Sequence, residues 1–130
     1  MGEPVRAWRV IRLHHVAFAH GGDGAPDVLT GLLGLPCVHE EAAAGFIERF
    51  LDRRGPGLHH AAFEVSDIDE AVADLRSRGV RMVDETPRPG GMGTRIAFVH
   101  PAACPGLLLE LVESPAARAT GTDDHMVERS

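Results

Sequence analysis

Apolar and polar positions alternate in short runs along much of this chain, and twice the alternation is broken by a pair of histidines. Leu13-His14-His15-Val16-Ala17-Phe18-Ala19 and Leu58-His59-His60-Ala61-Ala62-Phe63-Glu64 agree at five of seven positions, 45 residues apart. Each copy has the length and composition of a short strand, and self-similarity at a fixed offset points to two related modules. After the second copy the period lengthens to that of a helix. Ile68, Val72 and Leu75 recur at helical spacing, Ser66 or Asp67 can cap the start, Asp69 falls in the first turn, and Gly79 ends it. Strand-like runs then cover 80–84, 94–100 and 107–112, separated by the glycine-rich stretch 87–93 and the turn 101–106. This half reads as β-α-β-β-β.

The first half starts in the same way. A strand over 13–19 leads through a glycine-rich loop to a short helix over 27–33, stopped by Gly34, and to a strand over 36–41. The parallel then ends. Residues 42–54 read as a helix with Phe46, Ile47, Phe50 and Leu51 on one face, although Gly45-Phe46-Ile47-Glu48-Arg49-Phe50 also satisfies a strand. Either way the first half is one or two strands short of the second. The stretch after Glu113 is polar and rich in Pro, Ala and Thr, which predicts a flexible tail over 114–130.

The chain has 130 residues, 44% of them hydrophobic and 25% charged, which suits a single globular domain. No apolar run approaches the ~20 residues needed to cross a bilayer. The first residues lack the apolar core of a signal peptide, so a cytoplasmic protein that does not engage membranes is expected. Cys37 and Cys104 are too few and too far apart for a disulfide framework or a C-x-x-C metal site. A net charge of −6 argues against binding nucleic acid by general electrostatic attraction. The chain contains no Lys, Asn, Gln or Tyr, which removes Schiff-base chemistry, a phosphate-loop lysine and Cys-His-Asn catalysis. Metal or acid/base chemistry must come from eight His and nineteen acidic residues.

Alternation puts His59, Ala61, Phe63 and Val65 on one face of their strand, beneath the helix, and His60, Ala62 and Glu64 on the other, toward a cleft or solvent. By the repeat, His15 occupies the place of His60. Imidazoles at equivalent positions of two related strands can converge on one point, a candidate metal site. His14 and His59 are read as packing or hydrogen-bonding residues. Glu110 interrupts the apolar run 107–112, where a buried carboxylate is expensive unless it is paired, hydrogen-bonded or on a metal. The alternative is a strand residue facing solvent. His-His-Glu is a familiar donor set for a divalent ion, with the metal left open. The other polar features carry less. His39-Glu40-Glu41 reads as a polar strand end, His100 as a strand terminator, and His20 and His125 as solvated. Pro89-Gly90-Gly91-Met92-Gly93 reads as a flexible connector, and Arg49, Arg53, Arg54, Arg88 and Arg95 as solvated side chains or receivers of phosphate.

Taken together, several segments resemble the methylmalonyl-CoA epimerases, a family of the vicinal oxygen chelate (glyoxalase-like) superfamily. They are the two histidine strands, Gly31-Leu32-Leu33-Gly34-Leu35, the lead-in Phe50-Leu51-Asp52-Arg53-Arg54-Gly55-Pro56-Gly57, Pro87-Arg88-Pro89-Gly90, Ile96-Ala97-Phe98-Val99-His100-Pro101 and Gly106-Leu107-Leu108-Leu109-Glu110-Leu111-Val112-Glu113. The resemblance covers most of 11–113 and implies an α+β fold of paired βαβββ modules, the first missing one or two strands. On that reading 1–10 is an N-terminal extension, and modules 11–45 and 58–113 are joined by a helix over 46–55 in one domain. It further implies that His15, His60 and Glu110 ligate a divalent metal, cobalt or a similar ion such as manganese, nickel or zinc. The implied activity is epimerisation, with a proton removed next to the carbonyl of an acyl-CoA thioester and returned by a second carboxylate. Such a proton is far too weakly acidic for a carboxylate unless a cation stabilises the charge developing on the carbonyl oxygen.

The chain departs from the family where two strands carry a glutamine ligand and one acid/base glutamate. It has no Gln. Glu48 is the candidate for the second base if residues 45–51 form a strand, and His39, Glu40, Glu41 or a second chain are other sources. The rival functions are another chemistry of the superfamily, a lyase or tailoring isomerase on a larger substrate, and a metal-free small-molecule-binding or resistance protein. Sheet edges exposed by the shortened module predict a homodimer.

Overall fold

The computed structural model describes residues 6–20, 28–37 and 46–116. Five strands form one mixed sheet in the order β1-β2-β5-β4-β3: β1 Val10–Ala19, β2 Gly57–Val65, β3 Arg88–Pro89, β4 Arg95–Phe98 and β5 Leu108–Glu113. Among the described residues, two α-helices accompany them, α1 Phe46–Arg54 and α2 Ile68–Ser77. Among the described residues, no helix is long and apolar enough to cross a membrane. The chain packs as two compact units, one made of Met1–Val16 with His60–Ser130 and the other of Ala17–His59.

In the first unit, β2 and β5 pair in parallel with Ala62 opposite Glu110, and β4 pairs antiparallel to β5 with Phe98 opposite Glu110. Paired residues share a face and alternate residues change face. Ala97, Leu111 and Val65 therefore lie on one face, where they form a buried core with Ile68, Ala71 and Val72 of α2. Burying a side chain such as Val65 or Ile68 contributes ~1.5–3 kcal/mol. His60, Ala62, Glu110 and Phe98 share the opposite face. Trp8 packs against the core and donates its indole N–H to Asp74 of α2 at 2.8 Å, tying the residues before β1 to the helix.

The start of α2 is over-determined. Asp67 is the N-cap and accepts the Glu70 N–H at 3.1 Å, while Asp69 and Glu70 place negative charge in the first turn. Buried Glu113 accepts the Ile68 N–H at 3.1 Å through Oε2, a second carboxylate on the same helix end. Gly79, at φ +87°, carries the chain out of the helix in a conformation that side chains with a Cβ rarely adopt.

One predicted strand is not formed as expected. Residues 80–84 make only an isolated bridge, Met82 with Val99, and the short β3 lies further on at Arg88–Pro89. The physical reason is Asp84, whose Oδ2 accepts the Phe98 N–H at 2.8 Å and Oδ1 the Arg88 Nε–H at 2.9 Å. A side chain thus occupies a donor that regular pairing would give to a backbone carbonyl. The glycine-rich stretch after β3 makes a 3₁₀ turn over Gly91–Gly93.

In the second unit, the short helix expected over 27–33 is a π-helical turn, Val28–Leu32, followed by Gly34 at φ +71°. The ambiguous segment is helical: α1 runs over Phe46–Arg54, so the strand alternative for 45–51 does not form. The predicted strand over 36–41 falls mostly outside the described residues, as do His39, Glu40, Glu41, His125 and the tail beyond Ala116.

Candidate metal centre

His15 on β1, His60 on β2 and Glu110 on β5 come together in the first unit, with one ligand atom from each lying within 4.8 Å of the others. His15 Nε2 is 3.4 Å and His60 Nε2 3.1 Å from Glu110 Oε1. The two imidazole rings stand nearly perpendicular, at 78°, with centroids 5.5 Å apart. Neighbouring strands supply all three groups because β2 lies between β1 and β5.

Glu110 is buried, at 6% exposure, so the solvent-facing alternative does not hold. Burial pushes its carboxyl pKa up, but hydrogen bonds from His15 and His60, and the charges they carry when protonated, outweigh this and lower it to about 2. The group is therefore an anion at neutral pH. Phe98, opposite Glu110 on β4, meets the His60 ring edge-to-face at 90° and 5.5 Å. Arg88 lies over the other part of this wall, 5.8 Å from the Phe98 centroid, held by Asp84. His15 is steadied differently, by a hydrogen bond of 2.8 Å between its Nδ1 and that of His14. Burial, then the neighbouring His15 and Arg12, lower the His14 pKa, which favours the neutral ring.

The donor set fits a divalent ion. Ligand atoms each ~2.1 Å from a common centre stand ~3.0 Å apart at a right angle and ~3.4 Å apart at the tetrahedral angle. The two nitrogen-to-oxygen separations, 3.1 and 3.4 Å, fall in that range. Two borderline nitrogens and one hard oxygen suit cobalt, nickel, zinc or manganese.

Glu64 departs from expectation. It lies on the His60 side of β2 as the alternation requires, yet it is fully buried, not open to a cleft or solvent. Arg12 donates to it through Nε at 2.7 Å and Ser114 through its hydroxyl at 2.7 Å, and the two cover the carboxylate. Nothing local in sequence announces partners 52 and 50 residues away. Phe98 and Asp84 also escaped sequence reasoning. The apolar run 94–100 was the available signal for Phe98, and the acid three residues before Pro87 for Asp84.

Among the described residues, several other histidines and arginines are engaged elsewhere. His59 is buried, with an edge contact to Phe50 of α1 at 5.0 Å. His100 accepts the Ala102 N–H through Nδ1 at 3.0 Å and caps a short turn. Half-buried His20 is not fully solvated. Arg95 makes a two-pronged pair with Asp69, at 2.6 and 2.9 Å, so both it and Arg88 are engaged within the protein. Arg49, Arg53 and Arg54 lie on α1, all three exposed. Glu48 lies on α1 as well, with its side chain outside the described part of the structure.

Residues 14–98 match the family model described as the glyoxalase/bleomycin resistance protein/dioxygenase superfamily. The chain is 43% identical over 93 residues to the mitochondrial methylmalonyl-CoA epimerase of Dictyostelium discoideum, covering 69% of this chain and 56% of that protein. It spans about half the length of the curated relatives it matches. Among solved structures it is similar to the methylmalonyl-CoA epimerase of Mycobacterium tuberculosis, with 35% identity, a TM-score of 0.73, and coverage of 89% of this chain and 97% of that one. A Streptomyces coelicolor methylmalonyl-CoA epimerase variant in complex with 2-nitronate-propionyl-CoA is similar at a TM-score of 0.72 and 28% identity, covering 83% and 97%.

Proposed function

The chain belongs to the glyoxalase/bleomycin resistance protein/dioxygenase superfamily, and from that premise we propose that it is a metal-dependent epimerase of an acyl-CoA thioester, of the methylmalonyl-CoA type. The observation that carries the proposal is the convergence of His15, His60 and Glu110 on one point. Relatives named as methylmalonyl-CoA epimerases, and a structural neighbour holding a propionyl-CoA analogue, support the substrate class. A divalent cation at the three residues would supply Lewis-acid stabilisation of the charge that develops on the thioester carbonyl oxygen as the adjacent C–H bond ionises. Cobalt is the proposed ion, with nickel, zinc and manganese compatible.

This chain's own residues have distinct tasks. His15 and His60 would hold the ion through ring nitrogens and Glu110 would add a negative charge through its carboxylate, whose other oxygen is the proposed acceptor of the α-proton. Phe98 shields the His60 side from water. Epimerisation also needs a proton delivered to the opposite face of the carbon. Glu48 is its source only on condition of a strand over 45–51; that segment is α1, and the second acid/base is therefore sought at His39, Glu40, Glu41 or on a second chain. The cell interior is the proposed compartment, with no disulfide joining Cys37 and Cys104.

The test is exchange of the α-proton of methylmalonyl-CoA in D2O, followed by NMR after removal of the protein. Metal-free, cobalt-loaded and cobalt-loaded Glu110→Ala proteins are compared. Exchange is expected only in the second. Exchange that persists without cobalt or without Glu110 would sink the mechanism. Bound metal with no exchange points to other carbonyl substrates, and absence of both points to a binding protein.

We further propose that the chain is a homodimer. Among the described residues β1 is an edge strand, and Val10, Leu13, Val16 and Phe18 along it are exposed. An edge strand with exposed apolar side chains favours pairing with a second copy. Light scattering should return twice the chain mass of 13.9 kDa, and a strictly monomeric species overturns the proposal.

A further inference from the structure

Resting on the metal reading above, we infer that His14 is a positioning residue that aims His15 at the ion. Alternation along β1 sends neighbouring side chains to opposite faces, yet the His14 and His15 rings meet edge-to-face, at 74° and 5.0 Å between centroids, with their Nδ1 atoms 2.8 Å apart. Nδ1 is the ring nitrogen nearest the backbone, so the contact leaves the far nitrogen of His15, Nε2, directed at Glu110.

The tautomers are set by that geometry. Ligation through Nε2 requires the neutral His15 ring to carry its proton on Nδ1, and that proton needs an acceptor. His14 Nδ1 is the atom in place to accept it, with the His14 proton then on Nε2. The hydrogen bond fixes both the tautomer and the rotation of a ring that stands on an edge strand. His60 has a different support, the Phe98 ring beside it. His14 thus does for one ligand what aromatic packing does for the other.

Asparagine places an acceptor oxygen close to where Nδ1 of histidine lies, whereas leucine offers none. Cobalt titrations of the whole chain by calorimetry should therefore give an affinity ~10-fold or more weaker for His14→Leu, in the range typical of outer-shell partners, and within a few-fold of wild type for His14→Asn. In the zinc-loaded wild type, nitrogen NMR should show a His15 Nδ1–H and a coupling between the two Nδ1 nuclei across the hydrogen bond. Circular dichroism confirms that the variants are folded. Equal cobalt affinity in wild type and His14→Leu, or no coupling in the zinc-loaded protein, overturns the inference while the metal reading stands. A wild-type chain that takes up neither ion fails earlier, at the metal reading, and removes the inference with it.

Discussion

The two Leu-His-His strands are near-copies in sequence and unlike in support. β2 lies inside the sheet between β1 and β5, and its His60 packs against Phe98. β1 lies at the edge, and its His15 is held by the neighbouring His14. The segments downstream of the two strands differ as well. β2 leads into α2, whose start is capped by Asp67 and Glu113 and whose apolar face closes the core. After β1 the described residues form a π-helical turn over Val28–Leu32, with Leu32, Leu33 and Leu35 exposed, and then α1. One motif can therefore deliver the same ligand atom from two environments. In the sheet interior the Phe98 ring packs against the His60 ring, and on β1 a hydrogen bond joins the His15 ring to His14.

The largest effect that would separate the two environments is on the stability of the metal-free protein. His60→Ala removes a ring packed edge-to-face within the sheet and should cost about 2 kcal/mol, whereas His15→Ala, on the edge strand, should cost less than about 1 kcal/mol. Urea unfolding midpoints measure both. Equal losses would show that the two strands are equivalently supported and break the comparison.

Acid should act on the carboxylate that the strands share. Glu110 has its pKa lowered from 4.5 to about 2 in the folded chain. A group depressed on folding contributes stability that is present above its unfolded pKa and lost as pH falls through the folded value. Metal-free protein should therefore lose stability between pH 4.5 and about 2, on the order of 3 kcal/mol from this group. In Glu110→Gln the loss across that window should be shallower. A parallel pH profile for the two proteins would remove the carboxylate as the acid-sensitive element.

The smallest effect sharpens the contrast between the downstream segments. Asp67→Ala deletes the side-chain acceptor for the Glu70 N–H and should cost about 1 kcal/mol, with α2 retained because Glu113 still accepts from Ile68. Circular dichroism and the urea midpoint read the two parts. Collapse of the helix would mean that Asp67 alone holds its start.

Local rules made much of this molecule legible. Alternation by two placed His60 and Ala62 opposite to Val65, and a capped apolar period identified α2 to within a few residues. An acid within an apolar run marked Glu110 as unusual before its neighbours were known. The segment 45–51 could not be decided in this way, because helical and strand periods fit so short an apolar stretch equally.

The chain alone therefore determined a set of short-range choices: which residues share a face, where α2 begins, and which residue types are available for chemistry. Those choices rest on backbone geometry repeated every two or every 3.6 residues. Only the tertiary structure decided that β2 would pair in parallel with β5 in the register that sets Glu110 3.1 Å from His60. It also decided that Arg12 and Ser114 would cover Glu64, and that Asp84 would take the Phe98 N–H and reduce a predicted strand to a bridge. Strand register and ion pairs to a buried carboxylate join residues tens of positions apart, and their energies exist only once packing has excluded water from at least one partner.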